Sequence, residues 1–200
     1  LFGVEHVLTW RRELFEPSAL LAEFPQANDT TYLHRLLQAN PRAWFVTRTQ
    51  PADDESALTL LADHTFDLEN VALLPPESGP AASLPAAAAT ITLTQPAPGQ
   101  LGVRVATTGA GLLLLAENWM PGWRIENAAG AAGGDAILGM APMRVQRADL
   151  TLLAVPLPAG ESSFTLRYAP DSVRYGLWIS AAALLLLLLG LILLRERPTD

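Results

Sequence analysis

Two tryptophans, Trp119 and Trp123, bracket a Pro121-Gly122 turn that follows a run of four leucines. Exposed aromatic side chains at the edge of a sheet can stack on sugar rings or lie at a lipid interface. We therefore predict that both tryptophans contact a glycan or the membrane interface. The alternative is that one or both pack in the core of the sheet. Glu117 lies beside them, and the sequence identifies no partner for this carboxylate.

The other residues with catalytic potential form no complete arrangement. The acidic cluster Asp53-Asp54-Glu55 could bind a metal or activate an acceptor, but it also fits the first turn of a helix, where the helix dipole favours negative charge. His6, His34 and His64 are far apart and have no metalloprotease spacing, so we interpret them as ordinary surface or strand residues. We predict no catalytic residue and no metal site in this chain.

Composition excludes several classes of partner and site. The chain has 200 residues, of which 20 are acidic and 13 basic, and its formal net charge is −7. Every basic residue is arginine and the arginines are scattered, which argues against nucleic acid as a partner. Because there is no cysteine, the chain has no disulfide and no thiolate metal ligand.

The first part of the chain predicts a small α+β unit over residues 1–74. Apolar and polar residues alternate over 3–10, and turn residues separate two short apolar runs in a way that fits a hairpin. Residues 53–63 predict a helix with Asp53 as its N-cap. The remaining predicted strands of this unit are 19–24, 31–37, 43–47 and 66–74.

The composition changes at residue 75 and again at residue 90. Residues 75–89 are rich in proline and alanine and predict an exposed linker. From 90 to 174, short alternating runs recur with turn signals between them, which predicts a β-sandwich. The leucine run at 112–115 predicts a fully buried strand. The other predicted strands are 90–94, 101–107, 123–127, 142–147, 150–157 and 162–168.

The C-terminal segment 175–194 predicts one transmembrane helix. Residues 176–194 carry no charge and give roughly 28 Å of helix, close to the ~30 Å core of a bilayer. Tyr175 and Trp178 lie where interfacial aromatic residues anchor a span, and Arg195 and Arg197 place the tail 195–200 in the cytoplasm. The alternative is a buried core helix. Membrane lipid is thus a predicted partner, and the remaining chain lies on the extracytoplasmic side.

Several motifs occur in an order that resembles a known family. They are ENWMPGW (117–123), VPLPAG (155–160), LRYAPDSV (166–173), YGLWIS (175–180), GVEHVLT (3–9) and LQANPRAWFV (37–46). Together they resemble the C-terminal end of the YfhO-like family of bacterial polytopic membrane proteins, which is related to the GT-C glycosyltransferases. The sequence departs from the family pattern at Met120, where the family usually has an aromatic residue. It also departs at 127–130, where NAAG replaces a V-D-G turn.

The resemblance implies a role for the whole chain. It implies a mainly β extracytoplasmic accessory module and membrane anchor that assists sugar transfer from a polyprenyl-phosphate donor to a cell-envelope glycan. It also implies an N-terminal transmembrane bundle upstream as a partner, and it assigns the catalytic acids and any divalent metal to that bundle. The alternative is a non-enzymatic, single-pass β-sandwich that binds glycan or a protein partner. A start without methionine leads us to expect further chain upstream, and a signal peptide there would favour the alternative.

Overall fold

The computed structural model describes residues 4–37, 41–63, 65–130, 137–138 and 143–195. Over these residues the chain is mainly β, as the sequence predicts, with two α-helices and one short 3-10 helix at Pro76–Ser78. The helices are α1 at Asp54–Ala62 and α2 at Asp171–Arg195. The first seven strands are β1 His6–Thr9, β2 Ser18–Pro25, β3 Thr30–Leu36, β4 Ala43–Val46, β5 Arg48–Pro51, β6 Val71–Leu74 and β7 Ala82–Ser83. The others are β8 Ala89–Thr94, β9 Gln100–Thr107, β10 Gly111–Asn118, β11 Trp123–Ala129, β12 Gln146–Ala148, β13 Leu152–Leu157 and β14 Gly160–Tyr168.

The strands form four sheets among the described residues. The N-terminal sheet has the order β1-β3-β2 and contains the predicted hairpin, β2 with β3. The leucine sheet has the order β12-β13-β10-β4, and the outer sheet has the order β11-β14-β9-β8; both are antiparallel. The mixed sheet has the order β6-β5-β7, in which β5 runs parallel to β6.

Strand β10 is buried on both faces, as the leucine run predicts. Leu113 and Leu115 join a cluster with residues of the outer sheet, such as Val103 and Phe164. Leu112 and Leu114 point the other way, into a second cluster that includes residues of β6 and β12. Alternate side chains of a strand point to opposite faces, so one strand supplies both clusters. Full burial of each leucine stabilises the fold by about 1.5–3 kcal/mol.

Strand pairing crosses the predicted boundaries at residues 74 and 90. Strand β4, from the first predicted unit, pairs along β10, with Val46 opposite Leu112. The predicted linker 75–89 contains the 3-10 helix and β7, and β7 pairs with β5. The two predicted units therefore share a sheet. The predicted strand over 66–74 is shorter than expected, since only Val71–Leu74 is a strand.

Helix α1 follows its prediction closely. Asp53 is the N-cap, and its Oδ1 accepts a hydrogen bond from the backbone N–H of Ser56 at 2.8 Å. Hydrogen bonds from the side chain and the backbone of Ser56 favour the charged carboxylate and lower the pKa of Asp53. Asp54 lies in the first turn and forms an ion pair with Arg147 of β12 at 2.9 Å. The acidic cluster therefore caps a helix and connects it to the leucine sheet.

Helix α2 is long and apolar enough to cross a membrane. The stretch Asp171–Leu189 has a mean hydropathy of 1.8, and none of it is buried against the described remainder of the chain. The helix begins at Asp171, four residues before the predicted start at Tyr175. It ends at Arg195, and Arg197 lies outside the described residues, as does the rest of the predicted tail.

Candidate functional site

The segment 117–123, here called the tryptophan turn, connects β10 to β11 across the end of the leucine sheet. Gly122 has a φ of +117°, a backbone conformation that L side chains rarely adopt. A Cβ at this position would lie 2.7 Å from the Cα of Pro170. Only glycine therefore allows the turn to approach the chain segment that leads into α2.

Both tryptophans of the turn are half-buried and pack against the cluster between the leucine and outer sheets. The backbone N–H of Trp119 also donates to the carbonyl oxygen of Thr151. The indole Nε1–H of Trp123 donates to the carbonyl oxygen of Asn118 at 3.1 Å. Packing in the core thus accounts for part of each side chain, and the rest of each side chain is exposed.

Trp123 lines a cavity of about 250 Å³ at this end of the two sheets. Its ring lies beside that of Tyr168, with centroids 5.4 Å apart and planes inclined by 49°. The hydroxyl of Tyr168 donates to the Sδ atom of Met120 at 3.8 Å. The residues that line the cavity are Arg42, Gln95, Gly99, Gln100, Leu101, Glu117, Asn118, Met120, Trp123 and Tyr168. Trp119 is not among these lining residues.

Glu117 has a partner that the sequence does not reveal. Arg42 donates to Oε1 of Glu117 from Nε at 3.0 Å and from Nη2 at 2.5 Å. Arg42 directly precedes β4, and its carbonyl oxygen accepts from the backbone N–H of Ala116 at 2.9 Å. The pairing of β4 with β10 therefore brings together two side chains that are 75 residues apart in the sequence.

The cavity lies close to the start of α2. Tyr168 ends β14, and the next backbone N–H, that of Ala169, donates to the carbonyl oxygen of Gly122 at 2.9 Å. Arg124, just after the turn, forms an ion pair with Asp171 in the first turn of α2 at 2.7 Å. These contacts fix the tryptophan turn against the base of the helix.

The predicted interfacial anchors lie a little further along α2. Tyr175 and Trp178 are both exposed, and Trp178 is one turn after Tyr175 on the helix. Arg195 is the last residue of the helix. The aromatic residues thus lie at the end of the helix next to the folded domain, and Arg195 lies at the opposite end.

No group of three or more acidic or histidine side chains suited to hold a metal ion occurs among the described residues. His34 is buried in β3, where its Nε2 lies 3.0 Å from the carbonyl oxygen of Arg11 and its Nδ1 lies 3.4 Å from Oγ of Ser18. His6 is exposed in β1, and His64 lies outside the described residues. The hydrogen bonds of His34 connect β3 to the backbone of Arg11 and to the side chain of Ser18, which is a structural role.

Asp149 is a buried acid, and no pattern in the sequence predicts its burial. Its Oδ1 accepts from the backbone N–H of Leu73 at 2.7 Å, and its own N–H donates to the carbonyl oxygen of Leu73 at 2.8 Å. Its Oδ2 is buried without a hydrogen-bond partner among the described residues. Burial raises the pKa of this carboxyl to about 6, and the hydrogen bond from Leu73 opposes that rise. Asp149 therefore joins the mixed sheet to the leucine sheet.

No protein-family model matches the chain, and no curated protein or solved structure matches it significantly.

Proposed function

We propose that the chain is the C-terminal extracytoplasmic accessory module and membrane anchor of a YfhO-like membrane protein. In this role it assists the transfer of sugar from a polyprenyl-phosphate donor to a cell-envelope glycan, and the catalytic acids belong to an upstream transmembrane bundle. The ordered motifs from 117–123 to 175–180 support the family. The activity itself rests on analogy with that family, and the site on this chain binds rather than reacts.

One observation carries the proposal: an aromatic cavity lies at the base of the helix that is able to span a membrane. Trp123 and Tyr168 line this cavity, and Tyr168 is three residues before the start of α2 at Asp171. If α2 spans the bilayer with Tyr175 and Trp178 at its surface, the cavity lies at the level of the lipid headgroups. A lipid-linked sugar presents its sugar at that same level.

The proposed architecture is a β-sandwich of the leucine sheet and the outer sheet. Both sheets contribute side chains to one apolar cluster, with Leu153 from β13 and Leu166 from β14 as examples. Polar residues such as Arg104 occupy the opposite face of the outer sheet and are exposed. This alternation is what two packed antiparallel sheets require.

The proposed orientation places the sandwich outside the cell and Arg195 and Arg197 in the cytoplasm. Arginines flank the cytoplasmic ends of membrane helices more often than the outer ends. A reporter enzyme that is active only in the cytoplasm, fused after Asp200, should be active. The same reporter fused before residue 4 should be inactive if no further span lies between that fusion and α2. The opposite pattern would refute this orientation.

The glycan role is tested in the full-length protein with Trp119→Ala and Trp123→Ala combined. We expect the glycan product to fall, because the aromatic surface of the turn is removed. The matched control is Trp10→Ala, which removes an indole that is 73% exposed and is not among the residues that line the cavity. If the double variant folds normally and makes the normal amount of product, the glycan role is wrong.

The second candidate is a non-enzymatic, single-pass sandwich that binds glycan or a protein partner. The same cavity and the same helix favour it, because neither depends on an upstream bundle. The upstream sequence separates the two candidates. About ten further apolar spans with acidic extracytoplasmic loops would support the first candidate, whereas a signal peptide directly before Leu1 would support the second.

A further inference from the structure

We propose that the cavity beside the tryptophan turn binds a single uncharged sugar ring, and that the Arg42–Glu117 ion pair selects against phosphate and other anions. This inference rests on the glycan contact in the proposed function and names the ligand class for it. The inference follows from the size, charge and rigidity of the cavity.

The size of the cavity matches about one sugar ring. Its volume is about 250 Å³, below the ~300–1,000 Å³ of cavities that enclose drug-sized ligands. An oligosaccharide would therefore extend out of the cavity and place only one of its rings inside. Gln95 and Gln100 are among the lining residues, and their amides both donate and accept hydrogen bonds.

The charge of the cavity favours a neutral ligand. Among the described residues, Arg42 and Glu117 are the only charged ones that line it, and they neutralise each other through two hydrogen bonds to Oε1. An anion could use Arg42 only by breaking this pair and by lying next to the Glu117 carboxylate. Like charges at such short range repel each other, so a phosphate would lose what it gains from the guanidinium.

A pair of adjacent sugar hydroxyls matches the same ion pair without breaking it. One hydroxyl accepts from the Arg42 guanidinium, which has five N–H donors, while its neighbour donates to the Glu117 carboxylate. Among the contacts of the described residues, both bonds from Arg42 end on Oε1, so Oε2 of Glu117 is available to a ligand hydroxyl. Hydrogen bonds to charged groups are stronger than hydrogen bonds between neutral groups. The two bonds to Arg42 and Glu117 therefore make the cavity selective for a sugar even if the sugar binds weakly.

The aromatic side of the cavity is held in place before any ligand binds. The bond from the Trp123 indole to the Asn118 carbonyl fixes one ring, and contact with Tyr168 fixes the angle between the two. The apolar C–H face of a sugar ring packs on such a surface in the way that other apolar groups pack on aromatic rings. Preorganisation matters here because a small ligand has little binding energy to spend on ordering side chains.

The test uses the whole chain in detergent micelles, with the tryptophan indoles labelled with ¹⁵N. The probes are methyl hexopyranosides, one at a time, and inorganic phosphate. We expect at least one glycoside to shift the indole N–H signal of Trp123, which Trp123→Phe identifies by its disappearance. We expect phosphate to leave that signal unchanged.

Variants of the ion pair test the proposed selectivity. Arg42→Gln and Glu117→Gln should each weaken the glycoside about tenfold, the loss expected for a hydrogen bond to a charged group. Glu117→Gln should also allow phosphate to bind, because the repelling carboxylate is gone. The matched control is Arg48→Gln. Arg48 is about as exposed as Arg42, and it forms an ion pair with Asp67 at an N–O distance of 2.5 Å. Neither Arg48 nor Asp67 lines the cavity. This control should bind the glycoside as the unchanged chain does.

Two results would overturn the inference. One is that phosphate shifts the Trp123 signal of the unchanged chain at concentrations where no glycoside does. The other is that no probe shifts the signal while circular dichroism shows a folded chain. The glycan product of the Trp119→Ala, Trp123→Ala protein separates the two proposals. If that product falls while no glycoside binds, only the inference fails; if it is unchanged, the proposed function fails whatever the titration shows.

Discussion

The buried carboxyl of Asp149 makes a prediction about how stability depends on pH. Burial raises its pKa in the folded chain to about 6, against an ordinary value of 3.8. Between these two values the folded chain keeps a proton that the unfolded chain releases. The free energy of unfolding therefore falls as the pH rises from about 4 to above 6. The full loss of stability caused by the buried Asp149 charge is then present at neutral pH.

The size of the effect follows from the two pKa values. Their difference is about 2 units, and each unit corresponds to about 1.4 kcal/mol, so the cost at neutral pH is about 3 kcal/mol. Acids with a lowered pKa act in the opposite sense. Asp53, bonded by Ser56, and Asp67, bonded by Asn70, lose their stabilising effect as the pH falls. The Asp149 contribution is therefore visible only as a difference between two chains.

The perturbation is Asp149→Asn. The amide oxygen still accepts from the backbone N–H of Leu73, while the buried charge is removed. Asp149 has a φ of +44°, and asparagine tolerates this left-handed region as well as aspartate does. Any constant cost of the amide group cancels when the same variant is compared at two pH values.

The assay is urea-induced unfolding of the whole chain in micelles, followed by tryptophan fluorescence from pH 4 to pH 8. Relative to the unchanged chain, Asp149→Asn should gain about 2.5 kcal/mol between pH 4 and pH 7.5, because part of the effect has already developed at pH 4, where the unfolded carboxyl is largely ionised. The control Glu161→Gln alters an exposed acid and should follow the unchanged chain. If the stability difference between Asp149→Asn and the unchanged chain stays constant over this range, the buried-charge explanation is wrong.

Two further predictions concern packing. Gly122→Ala should destabilise the fold by more than Gly79→Ala, since both glycines have a φ near +120° but only the Cβ at Gly122 would collide with Pro170, at 2.7 Å from its Cα. If both variants lose the same free energy of unfolding in urea, the close contact between Gly122 and Pro170 is wrong. Leu114→Ala should cost about 2–5 kcal/mol because it leaves a cavity in a fully buried strand. The control Leu58→Ala removes a side chain that is 64% exposed and should cost far less; a similar loss in both would contradict the burial described for β10.

The part of the tryptophan turn that could be predicted is the part that depends on neighbouring residues. Pro121-Gly122 predicts a turn, and the turn is present with Gly122 at positive φ. Arg42 and Tyr168 could not be assigned to the cavity, because no local pattern relates them to Trp123. They reach it only through the pairing of β4 with β10 and of β14 with β11.

Local chemistry in the sequence determined the helix cap at Asp53, the hairpin of β2 and β3, the buried leucine strand and the long apolar helix α2. Each depends on residues within a few positions of one another, where backbone propensity and hydrophobic period are decisive. Only the tertiary structure decided that β4 joins the leucine sheet, that Arg42 neutralises Glu117 and that Asp149 is buried at Leu73. These contacts join residues about 70 or more positions apart, and the chain makes them only when collective burial offsets the entropy of closing such loops.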